Sequence, residues 1–527
     1  MKTKGMKHQI TALKRMADHD KLFRKKYGES FFALHMEMGT GKTWVFLAHA
    51  ERLFKAGKID GMLIIAPRGV HTNWALREIP QHLETPSTVR VWRTGAGKRE
   101  KLYTAEVLEQ EKKAKRAARD VLKKDGKLRI LAMNIDAIGT KDGFDLAKKF
   151  CQTFKVMIVI DESTRIKNEG TLRHDRAMAL GRYVNHRYEG TGLPITNKPN
   201  DLFGQFEWMY SGLLGTTSYR AFVAEYSVLL DPATDWALKN MIEKNPRMRF
   251  AQIVKKDDIT GKPMYRNLDK LNELLAPHAY RVLKKECTDL PDKVFKQIYF
   301  ELTPKQRAVY KTMEEDLRFE LEDGTIQGVA RLNVVSKLQQ ITSGFVLLKD
   351  GTTVLLGERD NPRLKALKEL MEDFEGKKVI IWAWFKEEIK AIAALMKELG
   401  RAPVQYHGGV SDKDREAAID EFQKGKADTF IGNQASGGIG ITLTAASETI
   451  YYSNNFNLEH RAQSEDRNHR TGQKNQVTYY DLIAEDTIDD TISLALQTKT
   501  DLVAAALKDS SCLFRRGPAL FSSKKGN

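Results

Sequence analysis

Cysteine is scarce in this 527-residue chain: Cys151, Cys287 and Cys512 stand far apart, with no pair at metal-ligand spacing. That argues against a disulfide framework and a cysteine-based zinc site, and it fits a reducing compartment. Long apolar runs are missing too, none approaching the roughly 20 residues of a membrane span. The N-terminus, MKTKGMKHQITALKRM, is basic but has no apolar signal core. A soluble, cytoplasmic protein without a membrane partner is therefore expected. No repeat at solenoid period is evident. What the chain does have is charge: 86 Lys and Arg against 69 Asp and Glu, a net +17, with 29% charged and 41% hydrophobic residues. The composition is globular, and the length calls for two or three domains. The basic excess points to a polyanionic partner such as nucleic acid, although a solvated basic surface gives the same balance.

From residue 30 onward, short β-branched or aromatic runs alternate with helical periodicity, which defines an α/β class with parallel sheets. SFFALH reads as a strand, TWVFLAHAERLFKAG as a helix closed by Gly57, and GMLIIAP as the next strand. LRILAMNI and VMIVI are further strands, the latter running into Asp161 and Glu162. A first lobe spans 1–215, with a charged helical insertion at about 97–127. Strand patterns are sparse over 216–360, which reads as a helical insert and linker containing AVYKTMEEDLRFELEDG and RLNVVSKLQQI. The α/β rhythm resumes over 361–495 with KVIIWAWF, PVQYHGG, TFIGNQ and TIYYSN as strands. Ser411 with Asp414 forms a capping-box start for the helix after PVQYHGG. The remainder, 496–527, holds a bracing helix and the peripheral tail SSCLFRRGPALFSSKKGN.

Residues 34–43, LHMEMGTGKT, raise the first chemical question, because the pattern G-x-x-x-x-G-K-[ST] fails at Met36. A phosphate loop needs glycines that let backbone N–H groups approach phosphate oxygens, a following helix whose N-terminus favours anions, and a lysine for the β and γ phosphates. Gly39, Gly41 and Lys42 meet these needs, Thr40 lies between the glycines, and Thr43 offers a hydroxyl to magnesium. A chance turn with an exposed lysine is the bland alternative. Asp161 suits a water-mediated magnesium contact and Glu162 suits polarisation of the attacking water, although acidic pairs also serve as plain strand caps. In SNNFNLEHRAQSEDRNHRTGQ, the spacing of Gln463, Arg467 and Arg470 predicts one face of a helix. Arginines there suit either a solvated surface paired with Glu459 and Asp466, or delivery of positive charge to a transferring phosphoryl group, worth roughly 10³ to 10⁵ in rate.

With these motifs in hand, the chain resembles the Swi/Snf family of superfamily-two helicase-like ATPases over most of residues 5 to 500. EMGTGKT, MLIIAPRGVHTNW, DESTRIKN and EGTGLPITNKPNDLF are similar to its motifs I, Ia, II and III. KVIIWAWF, YHGG with DREAAIDEF, NQASGGIGITLTAAS and QSEDRNHRTGQ are similar to motifs IV to VI, and DTIDDTISLALQTKTDL to its terminal bracing helix. The resemblance implies two RecA-like parallel-sheet lobes with a helical insert and linker between them. It implies ATP and Mg²⁺ as cofactors, adenine contact by Gln9, phosphate and magnesium contact by Lys42 and Thr43, and hydrolysis run by Asp161 and Glu162. Arg467 and Arg470 become arginine fingers, while Gly438, Gly440 and Gln463 fall near the nucleotide.

Two departures bear on coupling: Thr164 stands where the family carries histidine, and Leu193 where threonine is usual. Nothing outside the motor resembles a bromodomain, chromodomain, RING or nuclease module, so a bare, monomeric motor is expected. The expected function is a translocase tracking the backbone of double-stranded DNA. A strand-separating DNA or RNA helicase and a catalytically lapsed nucleic-acid-binding scaffold are the alternatives.

Overall fold

The computed structural model describes residues 1–92, 122–245, 248, 250–258, 262–287, 289–322, 328–348, 350–356, 361–435 and 441–507. Gly438, Gly440, the tail from residue 508 and most of the charged insertion lie outside the described residues; residues 122–127 of that insertion are turn and bend, not helix. Two compact units form, chiefly Met1–Leu229 with Gln252–Asp289, and Leu230–Ala251 with Leu290–Ala504.

The first unit holds seven strands: β1 (Ser30–Met36), β2 (Gly61–Ala66), β3 (Ser87–Val91), β4 (Leu128–Asn134), β5 (Val156–Asp161), β6 (His186–Gly190) and β7 (Ala279–Val282). All are parallel, in the order β3-β4-β2-β5-β6-β1-β7. β1, β2, β4 and β5 are buried at every residue, which is why they read as near-continuous apolar runs with no polar face. Two helices frame β1: α1 (Lys7–Tyr27), and α2 (Lys42–Lys55) immediately after it; α1 packs on both α2 and β1. The order matters for chemistry, because β6 lies between β1 and β5. The segments leaving the carboxyl ends of these three strands are therefore neighbours.

The second unit has a six-stranded parallel sheet of β8 (Lys293–Phe300), β11 (Val379–Ala383), β12 (Pro403–Tyr406), β13 (Thr429–Asn433), β14 (Glu448–Tyr451) and β15 (Val477–Ala484), in the order β12-β13-β11-β14-β15-β8. A separate antiparallel hairpin joins β9 (Phe345–Leu347) and β10 (Thr353–Leu355). The central strand β11 shows how the sheet is sealed. Val379, Ile381 and Ala383 enter one apolar cluster and Ile380 and Trp382 another, as alternation of side chains across a sheet demands. The predicted capping start holds: Ser411 Oγ accepts from Asp414 N at 3.2 Å ahead of the helix Asp412–Lys424.

One expectation needs correction. The stretch 216–360 does contain helices, among them Pro304–Glu322 and Gly328–Thr342, but it also supplies an edge strand to each main sheet, β7 to the first and β8 to the second. Neither is fully buried, so neither shows a continuous apolar run. Edge strands are held largely by backbone hydrogen bonds, which leave little mark on sequence pattern. β6, with sequence HRYEG, escapes notice for the related reason that its interior positions carry polar side chains.

Candidate nucleotide site and the arginine segment

The LHMEMGTGKT stretch leaves β1 and turns into α2 through two left-handed glycines, Gly39 at φ 80° and Gly41 at φ 84°. A side chain would be strained at either position. Lys42 is buried at the start of α2, and its Nζ donates to Met36 O at 2.8 Å. That contact settles why methionine is accepted where the pattern asks for glycine. The ammonium needs only the carbonyl of residue 36, while the Met36 side chain is fully buried in the apolar core. Thr40 is buried and its Oγ1 donates to Glu37 O at 2.7 Å, whereas Thr43 is only half-buried.

Gln9 of α1 meets the same loop. Its Oε1 accepts from Met6 N at 2.7 Å, and its Nε2 points at the carbonyls of Thr40 (3.5 Å) and Gly41 (3.4 Å). His8 Nε2 also lies 2.8 Å from Thr40 O. In this structure Gln9 therefore caps α1 and braces the phosphate loop.

The carboxylates sit at the end of β5. Asp161 and Glu162 are buried, each 7% exposed. Burial pushes the Asp161 carboxyl up, while the Lys42 charge and a hydrogen bond from Trp74 act to lower it. That bond runs from Trp74 Nε1 to Asp161 Oδ2 at 2.8 Å. Glu162 holds a left-handed backbone, φ 56°, an uncommon conformation for a residue with a side chain. Its Oε2 accepts from Thr191 Oγ1 at 3.1 Å, and Thr191 Oγ1 in turn accepts from Leu193 N at 3.2 Å. Thr191 follows β6, so the strand order brings DESTRIKN, EGTGLP and the phosphate loop together. A Cβ on Gly192 would lie 3.1 Å from Met38 N, and one on Gly190 would lie 3.4 Å from Lys42 Cδ.

Sequence reasoning did not single out Trp74 or Thr191. Both lie within motifs it quoted, but only the fold shows which side chain of each motif reaches a carboxylate. The expected coupling positions are buried: Thr164 is 4% exposed with an Oγ1 lacking a hydrogen bond, and Leu193 is 7% exposed. The Thr43 hydroxyl and the buried Asp161 carboxylate suit magnesium, which takes one or two protein carboxylates and completes its shell with phosphate oxygens and water. Among the described residues no cluster of three or more His, Cys, Asp or Glu could hold a metal without such help.

The arginine segment departs from its predicted form. The helix Leu458–Glu465 carries Gln463, which is buried and donates from Nε2 to Glu459 Oε1 at 3.0 Å, but it ends before Arg467. Arg467 and Arg470 lie in the turns beyond, so the three residues do not share one helical face. Past the helix Arg467 N tightens onto Ser464 O at 3.3 Å, Arg467 O accepts from Leu443 N at 2.8 Å, and Gln473 N donates to Arg470 O, so the segment runs on as turns. Arg461, in contrast, has a structural task. It is 2% exposed, donates to Glu465 Oε1 at 2.8 Å and is paired with Asp481, with its guanidinium over the Tyr451 ring.

Two parallel α/β sheets, one with a glycine-hinged lysine loop beside a buried acidic pair, define a helicase-like nucleotide-binding architecture. The family profile of the SNF2-related domain matches residues 8–345, and that of the helicase conserved C-terminal domain matches residues 362–472. The chain belongs to the SNF2-related domain family. YwqA of Bacillus subtilis (strain 168) is 26% identical over 356 residues, 66% of this chain and 35% of YwqA. The uncharacterized ATP-dependent helicase MG018 of Mycoplasma genitalium is 25% identical over 487 residues, 91% of this chain and 40% of MG018. The chain thus spans well under half the length of these relatives. A solved Sulfolobus solfataricus SWI2/SNF2 ATPase core in complex with dsDNA is 24% identical with a TM-score of 0.38, covering 94% of this chain and 90% of that one. Among the described residues no helix is long and apolar enough to cross a membrane.

Proposed function

We propose that the chain is a magnesium-dependent ATPase that tracks the phosphate backbone of double-stranded DNA, working as a monomer in the cytoplasm. The observation that carries the reading is the convergence of Lys42, Asp161 and the Thr191–Glu162 pair at the carboxyl ends of β1, β5 and β6. Lys42 would exchange Met36 O for the β and γ phosphates, a stronger, charge-assisted contact. Gly39, Gly41 and the amino end of α2 present N–H groups to the same oxygens. Glu162, oriented by Thr191, holds and polarises the attacking water. Bound magnesium supplies charge neutralisation on the phosphates; Thr43 and Asp161 would hold it, the latter through water. Arg467 and Arg470 are proposed to supply transition-state charge. Gly438, Gly440 and Gln463 stay assigned near the nucleotide on sequence grounds, and Gln9 would read adenine by turning its amide from Met6 N and the loop carbonyls to the base.

The net charge of +17 fits a track read through phosphates without base contacts. The test is ATPase activity with double-stranded DNA, single-stranded DNA and RNA over a range of salt. Duplex stimulation should fall steeply with salt, by about one log unit per log unit of salt for each phosphate neutralised. Flat salt dependence or a preference for RNA refutes the duplex track. Glu162→Gln should bind ATP and fail to turn it over; lost ATP binding would make Glu162 a structural residue.

A further inference from the structure

Directly beneath this site lie two buried titratable side chains to which the hydrolysis chemistry assigns no task. His35 on β1 and Glu189 on β6 occupy adjacent parallel strands, with Ala33 opposite Glu189 and Leu34 opposite Gly190. They are 2% and 0% exposed, and His35 Nε2 stands 3.8 Å from Glu189 Oε1. His35 Nε2 and both Glu189 oxygens meet no donor or acceptor in good hydrogen-bond geometry, the Ser163 hydroxyl being the one polar group that faces Glu189. Leaving such groups buried and unsatisfied is costly, so a purely structural role is a poor account of them.

Their surroundings favour a neutral pair. Lys42 and Arg281 face His35, and with burial they push its imidazole down to about 3. Burial pushes the Glu189 carboxyl up to about 8; the Ser163 hydroxyl faces it but gives its proton to Gln205 Oε1 at 2.8 Å. Near neutral pH a protonated carboxyl, which is a donor, therefore confronts a neutral imidazole, which accepts at its unprotonated ring nitrogen. At 3.8 Å they are beyond hydrogen-bond range, and a shift of roughly 1 Å between the strands would close the bond.

Both neighbours of the pair are chemical. Glu189 precedes by two residues Thr191, whose hydroxyl holds Glu162. His35 precedes Met36, whose carbonyl holds the Lys42 ammonium. Arg281 ties the two segments together, donating from Nη1 to His35 O at 3.3 Å and to Gly192 O at 2.8 Å. We propose that Glu189 and His35 are positioning residues, forming a carboxyl-to-imidazole hydrogen bond when nucleotide fills the phosphate loop and so setting Thr191 and Glu162 for hydrolysis. The proposal rests on the reading of that loop as an ATP site.

The test is Glu189→Leu, which keeps the volume and removes the orphaned polar atoms. Its unfolding midpoint should equal or exceed that of the wild type, its ATP affinity should stay within about threefold, and kcat should fall about tenfold or more, the worth of one ordering hydrogen bond. Glu189→Gln, whose amide still donates to His35 Nε2, should recover most of kcat. A Glu189→Leu protein with kcat within twofold of wild type overturns the inference, as does a kcat loss that merely follows a lost midpoint. Should Glu189→Leu fail to fold, His35→Phe approaches the pair from the other strand and should show the same loss of kcat at unchanged ATP affinity. A wild-type protein without ATPase activity overturns the ATP reading and this inference together; an active wild type with an equally active Glu189→Leu overturns this inference alone.

Discussion

Mild acid should unfold the first unit, and the size of the effect follows from its histidines. His19, His186 and His278 are buried, and burial pushes each down to about 4; His35 falls to about 3. An unfolded chain protonates histidine near pH 6.5. Between about pH 6.5 and 4 the unfolded state therefore binds more protons than the folded one, and stability falls as pH falls. His19 Nε2 and His278 Nδ1 are 2.9 Å apart, yet each takes up its own proton in the unfolded chain, so all four sites count. Glu189 acts the other way. Its raised pKa makes the folded state the better proton binder from about pH 4.5 to 8, so its contribution grows as pH falls. Three net protons remain, costing about 4 kcal/mol of stability per pH unit below about pH 6. That is a large share of the roughly 5–15 kcal/mol of a typical domain. Denaturant unfolding followed by tryptophan fluorescence at pH 7.5, 6.5, 5.5 and 5.0 checks this. The first-unit transition should be most stable near pH 6.5 and collapse by pH 5, and His186→Gln should flatten the acid slope. A midpoint that stays constant from pH 6.5 to 5.0 refutes the reasoning.

Three further outcomes are expected. Gly41→Ala should abolish ATP binding while leaving the second unit's unfolding unchanged, because φ is +84° and the new Cβ would lie 2.0 Å from Gln9 Nε2; a nucleotide titration measures it. Within the arginine segment, Arg461→Ala should destabilise the second unit by roughly 3 kcal/mol, since it removes the buried cation that Glu465 and Asp481 share and leaves Glu465 only Lys293 and Asp481 only the Asn454 amide. Arg467→Ala and Arg470→Ala should instead lower kcat by orders of magnitude and spare DNA affinity, a contrast that paired melting and ATPase assays read directly. Cys151 should resist thiol reagents at pH 8 until the protein unfolds, because burial pushes its thiol up to about 12 and leaves almost no thiolate; prompt labelling of the folded protein, followed by mass spectrometry, would contradict this.

The elements legible in sequence are those whose physics is local. A strand covered on both faces must be apolar throughout, so GMLIIA, VMIVI and KVIIWA declare themselves, and the α/β class with them. A phosphate loop needs two glycines, a lysine and a helix start within five residues, so G-x-G-K-T is readable despite Met36. The family resemblance was carried by motifs of this kind and is borne out by the two family profiles.

Tertiary structure decided whatever depends on which strands are neighbours. The edge strands β7 and β8 and the polar strand β6 exist because partner strands offer them backbone hydrogen bonds, which residue type hardly records. Because β6 lies between β1 and β5, Thr191 reaches Glu162, and His35 confronts Glu189 although the two stand 154 positions apart in the chain. Helical spacing had aligned Arg467 and Arg470 with Gln463, but past the helix the segment runs on as turns, with Leu443 N donating to Arg467 O. Sequence alone determined which chemical groups are present; the sheet order, set by long-range packing, decided which of them meet.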